Sequence, residues 1–147
     1  YGKNYEKIFD ECKKTKNVNF FGFIDNEKTI KLLEKMHIFA YPSVWPETSC
    51  IAAIESMASG CEVVSTNLGA LSETCSPFGT FINFDRNFNN MEKKFSETLS
   101  KSIKNFWTEE NQKKLYLQRE TINSIYSWDT RSLEWKNFFD EARKYKK

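Results

Sequence analysis

Hydrophobic residues recur at helical spacing, and in short runs, along the first part of the chain. Between residues 3 and 15 they stand three or four positions apart, which predicts an amphipathic helix. Short apolar runs at residues 18–21 and Ile38–Tyr41 predict two strands. Between these runs, Asp25 or Asn26 can cap a second helix. The apolar residues of this second helix are Ile30, Leu33 and Met36.

The alternation of helices and strands continues to residue 85. Thr48 or Ser49 can cap a third helix, and Gly60 supplies the left-handed position that ends it. The positions of this helix predicted to face inward are Ile51, Ile54, Met57 and Ala58. The remaining elements are a strand at 63–65, a short helix near 70–76 and a strand at 80–83.

From residue 86 to the end the pattern is helical. One stripe consists of Met91, Phe95, Leu99, Ile103 and Phe106, and a second of Leu115, Ile122 and Ile125. A last helix from about residue 129 carries Trp135, Phe138, Phe139, Ala142 and Tyr145. Alternating short strands and amphipathic helices are typical of parallel sheets covered on both faces. The sequence therefore predicts a single α/β domain, with a Rossmann-like parallel sheet in residues 1–85 and C-terminal helices in residues 86–147.

The composition is that of a globular protein and restricts the classes of partner. Of the 147 residues, 39% are hydrophobic and 29% are charged, and the longest apolar run is too short for a membrane-spanning helix. The formal net charge is only +2, and Lys greatly outnumbers Arg among the 22 cations, so a dedicated nucleic-acid binder is disfavoured. The start at Tyr1 predicts that the chain is internal to a longer polypeptide.

The cysteines and the histidine argue against a structural metal site. Cys12, Cys50, Cys61 and Cys75 are spaced by 38, 11 and 14 positions, and His37 is the one histidine, so no zinc-binding spacing is present. We expect unpaired thiols, with Cys50 and Cys61 buried as small hydrophobic residues. Unpaired thiols fit a reducing compartment, and we expect a cytoplasmic protein without a metal.

The candidate chemistry lies where the strand Ile38–Tyr41 leads into the third helix. Amides near Thr48, Ser49 and Cys50 would have no helical acceptor, so this junction can hold a phosphate. A helical rise over eight residues puts Glu47 and Glu55 on the order of 10 Å apart, which suits the two ends of an extended ligand such as a sugar nucleotide. By spacing alone, both carboxylates are more simply solvated or capping residues.

The residues of this junction also resemble a known family. The segments 41–43, 45–51, 53–64 and 67–74 look like the donor-binding domain of retaining glycosyltransferases of family 4, which have the GT-B fold. The match includes the spacing of seven residues between Glu47 and Glu55, and looser similarity extends from Val18 to Trp128. The resemblance implies transfer of a sugar from a nucleotide-diphosphate sugar to an acceptor with retention of configuration, without a metal.

The resemblance also implies roles for individual residues. Glu47 would be the catalytic residue that contacts the donor sugar, and Glu55 would bind the ribose hydroxyls. The backbone at Gly22, Phe23 and Ile24 would line the base. The donor phosphates would lie against the residues that follow Glu47, which are Thr48, Ser49, Cys50 and Ile51.

Compared with that family, the chain is expected to be a partial donor domain. Its first two strand-helix units and the N-terminal acceptor-binding domain would be missing, so this chain alone is expected to be inactive. In the family's strand order the missing strands lie beside Ile38–Tyr41, which predicts an unpaired sheet edge there.

Two other functions remain open from the sequence. The first is a non-catalytic Rossmann-like module that binds a phosphate or a protein through the same helix end. The second is a binder of single-stranded nucleic acid that stacks bases on its many aromatic residues, although their helical spacing argues for burial. The aromatic stripe of the last helix is most simply core or interdomain packing.

Overall fold

Three parallel strands form the centre of the fold. The computed structural model describes residues 5–145, and its strands are β1 (Ile38–Tyr41), β2 (Glu62–Thr66) and β3 (Thr80–Ile82). They pair in the order β1-β2-β3, with Phe39 opposite Val63 and Ser65 opposite Phe81. All three strands lie within or overlap the predicted runs, so this part of the prediction is confirmed.

Seven helices surround this sheet in the described part of the chain. They are α1 (Glu6–Lys14), α2 (Asn26–Leu33), α3 (Ile51–Ala58), α4 (Leu71–Thr74), α5 (Phe88–Asn105), α6 (Glu109–Ile125) and α7 (Trp128–Lys144). None of these helices combines the length and apolarity needed to cross a bilayer.

The sheet is covered on both faces, because successive strand residues point to opposite sides. Phe39, Val63 and Phe81 belong to a core formed with α3, α4 and α6, whereas Val64 and Ile82 belong to a second core formed with α5. Because neighbouring strand residues alternate between two cores, the predicted α/β architecture with helices on both faces and helices at the C-terminus is confirmed.

The first predicted strand is wrong. Residues 18–21 form an irregular segment between α1 and α2, and Val18, Phe20 and Phe21 are exposed. A β-prone sequence becomes a strand only when a neighbouring strand accepts its backbone hydrogen bonds, and none of residues 5–145 pairs with this segment. The local pattern was apolar enough for a strand, but the partner was missing.

The ends of the second and third helices agree with the predicted capping in part. Asp25 caps α2 by accepting from the Lys28 amide at 2.9 Å, as predicted, but α2 ends at Leu33 and leaves Met36 exposed. At the end of α3, Gly60 has φ +94°. Its amide and that of the next residue bond back into the last turn of α3, which confirms the predicted glycine stop.

The C-terminal helices differ in how firmly they pack. Gln118 of α6 is fully buried, and its Nε2 donates to the carbonyls of Met57 and Cys61 at 3.2 and 2.8 Å, which fastens α6 to the end of α3. In contrast, α7 has no buried residue. Of the two interpretations of the last aromatic stripe, packing into the core of residues 5–145 is therefore wrong. The exposed residues of this stripe are Trp135, Phe138, Phe139, Ala142 and Tyr145.

The outer side of β1 lies at an edge of the sheet. The His37 carbonyl accepts from the Glu62 amide at 2.9 Å and so points toward β2. Because backbone direction alternates along a strand, the N–H and C=O groups of Ile38 and Ala40 point away from β2. No other segment of residues 5–145 pairs with that side.

Candidate functional site

Hydroxyl groups of β2 fasten the loop that follows β1. Ser65 Oγ donates to the Tyr41 carbonyl at 2.6 Å, and Thr66 Oγ1 donates to the Ser43 carbonyl at 2.7 Å. Within the loop, Ser43 Oγ donates to the Trp45 carbonyl at 3.0 Å. Ser43, Ser65 and Thr66 are buried, so water does not compete for these bonds. The loop therefore starts from a fixed position at the carboxyl ends of β1 and β2.

The backbone of Glu47 is held by the loop that follows β2. Glu47 forms a parallel bridge with Gly69, and the Ala70 amide donates to the Glu47 carbonyl at 2.7 Å. Gly69 has φ +61°, and a Cβ at this position would lie 2.5 Å from the backbone carbonyl oxygen of Glu47 and 2.6 Å from its backbone nitrogen. Only glycine fits such a close approach of two backbones.

The side chain of Glu47 is bound by the last residue of β1. Tyr41 donates its hydroxyl to Glu47 Oε1 at 2.7 Å, and both residues are half-buried. This hydrogen bond, together with burial, raises the pKa of the Tyr41 phenol. The phenol therefore stays protonated well above neutral pH and remains the donor of the pair.

The helix that follows Glu47 begins later than predicted. α3 starts at Ile51 with Cys50 as its N-cap, so the prediction of Thr48 or Ser49 as the cap is wrong, and both residues lie exposed in the loop. The first-turn amides without a helical acceptor are consequently those of Ile51 and Ala52. The candidate anion site therefore lies one or two residues later in the sequence than predicted.

The side chains of the first residue of α3 and of its N-cap differ in exposure to solvent. Ile51 is 69% exposed, so the prediction that it faces inward is wrong. Cys50 is buried, and its N-cap position is made without a side-chain hydrogen bond. Because burial raises the pKa of the Cys50 thiol, the cysteine acts as a small apolar group, as predicted. Cys61, also buried, behaves in the same way.

The side chain of Glu55 faces α2. Its Oε1 accepts from Asn26 Nδ2 at 2.9 Å, and Asn26 is the first residue of α2. The segment containing Gly22, Phe23 and Ile24 comes just before α2, so this contact joins the predicted base-binding segment to Glu55 through the start of α2. Gly22 has φ +63°, Phe23 is fully exposed and Ile24 is half-buried.

Glu55 also lines a polar cleft of about 480 Å³ between α2, α3 and α6. Asn123 Nδ2 donates to the Ala58 carbonyl at 3.1 Å on one side of this cleft. The lining residues are Ile30, Glu34, Glu55, Ala58, Ser59, Arg119 and Asn123. Arg119 makes no ion pair among residues 5–145, so its guanidinium group is available to a ligand.

The structure does not bring the two carboxylates to a common partner. Glu47 contacts Tyr41 and the loop after β2, whereas Glu55 contacts Asn26. The sequence estimate of their separation assumed a continuous helix, but Glu47 lies four residues before α3 begins. Neither carboxylate is in an ion pair, and no cluster of metal-ligating residues occurs, within the described range.

Sequence reasoning missed four residues of this region. Tyr41 and Gly69 contact Glu47, Asn26 contacts Glu55, and Arg119 lines the cleft. For Gly69 a signal existed, because an isolated glycine after a buried strand often marks a close backbone approach. The other three are brought in by tertiary packing, which no local pattern reports.

The sheet topology and the loops at the carboxyl ends of the strands define the class of protein. It is a Rossmann-like α/β domain, in which the loop from β1 to α3 carries the polar residues Ser43, Thr48 and Ser49 together with Glu47. The family model described as "Glycosyl transferases group 1" matches residues 1–115, which include the whole sheet, Glu47 and Glu55. The chain belongs to this glycosyltransferase family. Searches of curated proteins and of solved structures found no significant match.

Proposed function

We propose that this domain binds the nucleotide-diphosphate sugar of a GT-B glycosyltransferase of family 4, which transfers the sugar with retention of configuration. Membership of the glycosyltransferase family supports the chemistry. The observation that supports the donor assignment is the contact between Glu55 and Asn26, because Asn26 follows the segment at residues 22–24 by two positions. A nucleoside presents a base and two neighbouring ribose hydroxyls, which these two groups would contact.

In this proposal the diphosphate lies at the N-terminus of α3. The amides of Ile51 and Ala52 point out of the first turn, at the positive end of the helix dipole. Thr48 and Ser49 are exposed in the preceding loop and can donate hydroxyl hydrogen bonds to the same oxygens. These neutral donors support binding of the diphosphate without a metal.

Glu55 accepts from the ribose hydroxyls, and Glu47 contacts the donor sugar as the catalytic residue. Glu47 Oε1 is used by Tyr41, while Oε2 has no hydrogen-bond donor among residues 5–145 and can accept from a sugar hydroxyl. The Glu47 backbone is fixed by Gly69 and Ala70, so the side chain starts from a defined position at the carboxyl end of the sheet.

In this proposal the acceptor is bound by a partner domain. The aromatic side chains of α7 support an interdomain contact, because Trp135 is 59% exposed and lies against Phe138 and Phe139. Exposed apolar patches of this kind mark interaction surfaces. We therefore propose that residues 5–145 bind the donor and that transfer to the acceptor needs a partner domain.

Calorimetry with UDP-glucose, GDP-mannose and ADP-glucose tests the donor assignment. We expect Glu55→Gln to weaken binding of the preferred donor by about 1–3 kcal/mol, because a charged hydrogen-bond acceptor is lost. The matched control is Glu97→Gln, an exposed glutamate on α5, against the opposite face of the sheet, for which affinity should not change. Addition of EDTA should leave the affinity unchanged.

Two results would contradict the proposal. Unchanged affinity in Glu55→Gln would remove Glu55 from the donor site. Failure of the unmodified chain to bind any of the three donors, with retained binding of inorganic pyrophosphate, would favour the alternative of a non-catalytic phosphate-binding module.

A further inference from the structure

We propose that Tyr41 is a positioning residue for Glu47, holding one carboxylate oxygen so that the other faces the donor sugar. The inference rests on the proposed function, because it assigns the orientation of the residue that contacts the sugar. It adds a residue from β1 to a site that the sequence assigned to the loop, to α3 and to residues 22–24.

The ring of Tyr41 is itself held in place by the sheet. Tyr41 is the last residue of β1, its carbonyl accepts from Ser65 Oγ at 2.6 Å, and its ring stacks on Phe39 with centroids 5.4 Å apart. A half-buried ring fixed by backbone and stacking loses little further freedom when its hydroxyl makes a hydrogen bond. The phenol oxygen is therefore a rigid donor.

The carboxylate of Glu47 depends on this donor for its orientation. The Glu47 backbone is fixed by the bridge to Gly69, but three side-chain torsions separate the backbone from the carboxylate. The Tyr41 hydroxyl makes the one side-chain hydrogen bond to Glu47 within residues 5–145, at 2.7 Å. Removing it leaves the carboxylate free to rotate, so part of the binding free energy for a sugar would go into ordering it.

The loop does not depend on the same hydrogen bond. Thr66 binds the Ser43 carbonyl in the loop, Ser65 binds the Tyr41 carbonyl at the end of β1, and Gly69 contacts the Glu47 backbone. Tyr41→Phe keeps the ring and its stacking on Phe39 and removes the hydroxyl alone. A positioning role and a structural role therefore predict different results for this substitution.

The test compares each nucleotide-diphosphate sugar with the corresponding nucleotide diphosphate by calorimetry. In Tyr41→Phe we expect the affinity for UDP, GDP or ADP to stay within about 2-fold, and the affinity for the preferred sugar nucleotide to fall about 3- to 10-fold, the range of one hydrogen bond. In a Glu47→Ala background, which removes the acceptor altogether, Tyr41→Phe should add much less. Tyr116→Phe, which alters an exposed tyrosine of α6, is the matched control.

Each outcome decides between named alternatives. An equal loss for the nucleotide and for the sugar nucleotide would indicate a structural role and overturn the inference, as would additive effects of the Tyr41 and Glu47 substitutions. Absence of donor binding in the unmodified chain would overturn the proposed function together with the inference. A spectroscopic titration adds an independent measurement, because Glu47→Gln should lower the raised pKa of the Tyr41 phenol, and an unchanged pKa would refute the coupling.

Discussion

Replacing Gly69 with alanine tests whether the loop after β2 sets the position of Glu47. Gly69 has φ +61°, a backbone conformation that costs other residues about 1–2 kcal/mol. The added Cβ would also lie 2.5 Å from the Glu47 oxygen and 2.8 Å from the Pro46 carbonyl carbon. Both are backbone atoms, so relief requires the two segments to move apart.

The magnitude follows from what that movement would cost. Overpacking of a well-packed contact costs about 1–3 kcal/mol, and loss of the hydrogen bond from the Ala70 amide to the Glu47 carbonyl costs about 1 kcal/mol more. With the conformational cost included, we expect Gly69→Ala to lower the free energy of unfolding by about 3–6 kcal/mol. That is a large fraction of the about 5–15 kcal/mol by which folded domains are typically stable.

Gly22 offers a matched control for the conformational part. Its φ is +63°, nearly the same as that of Gly69, but the nearest atom to an added Cβ is Cε1 of Phe20 at 3.8 Å. Gly22→Ala should therefore cost only about 1–2 kcal/mol. Urea unfolding followed by tryptophan fluorescence measures both variants. Equal losses for the two would refute the idea that the contact with Glu47 is what requires Gly69.

Two further predictions concern buried groups away from the site. Ser102→Ala removes the 2.7 Å hydrogen bond from Ser102 to the buried carboxyl of Glu62. It should lower the free energy of unfolding, measured by urea titration, by about 1–2 kcal/mol. An unchanged free energy would mean that the hydrogen bonds from Thr80 and Asn111 are enough to stabilise the buried Glu62 carboxyl. Burial raises the pKa of the Cys61 thiol to about 11 and that of Cys75 to about 12, from 9.0. The native state therefore keeps protons that the unfolded chain releases above pH 9. The stability that these thiols contribute should be complete below pH 9 and should fall as the pH rises from 9 toward 12, with a smaller slope in Cys75→Ala. A midpoint independent of pH over this interval would contradict the assignment.

The strands that were predicted correctly are those for which a local apolar run is sufficient evidence of a buried strand. Val63 and Val64 lie in a short apolar run that is buried from both faces, and such runs need no information about a particular partner. The glycine stop at Gly60 was equally local, because the left-handed conformation depends on the residue itself.

The errors share a dependence on distant parts of the chain. The apolar segment at residues 18–21 lacks a pairing strand, which its own composition cannot report. Thr48 and Ser49 are good capping residues, yet the bridge between Glu47 and Gly69 keeps the chain extended there, and the helix begins only at Ile51. The contact with Gly69, which is distant in the sequence, therefore decided where α3 begins, and the capping propensity of Thr48 and Ser49 did not.

The candidate site shows the same division. Glu47 and Glu55 were chosen as candidates because their spacing resembles a family pattern, and the comparison confirms membership of the glycosyl transferases group 1 family. Their hydrogen-bond partners were not found, since Tyr41 is on a strand and Asn26 is on a helix 29 residues before Glu55. The side chains that orient a functional group come from several elements, and only the fold brings them together.

The outward backbone groups of Ile38 and Ala40 give the sheet a direction in which it can grow. An edge strand with unpaired N–H and C=O groups can form backbone hydrogen bonds with any extended peptide, including another molecule of the same chain. We expect the purified chain to associate more readily as its concentration rises. Proline in place of Ala40 would block that growth without disturbing the ladder to β2, because the amide it removes points the other way.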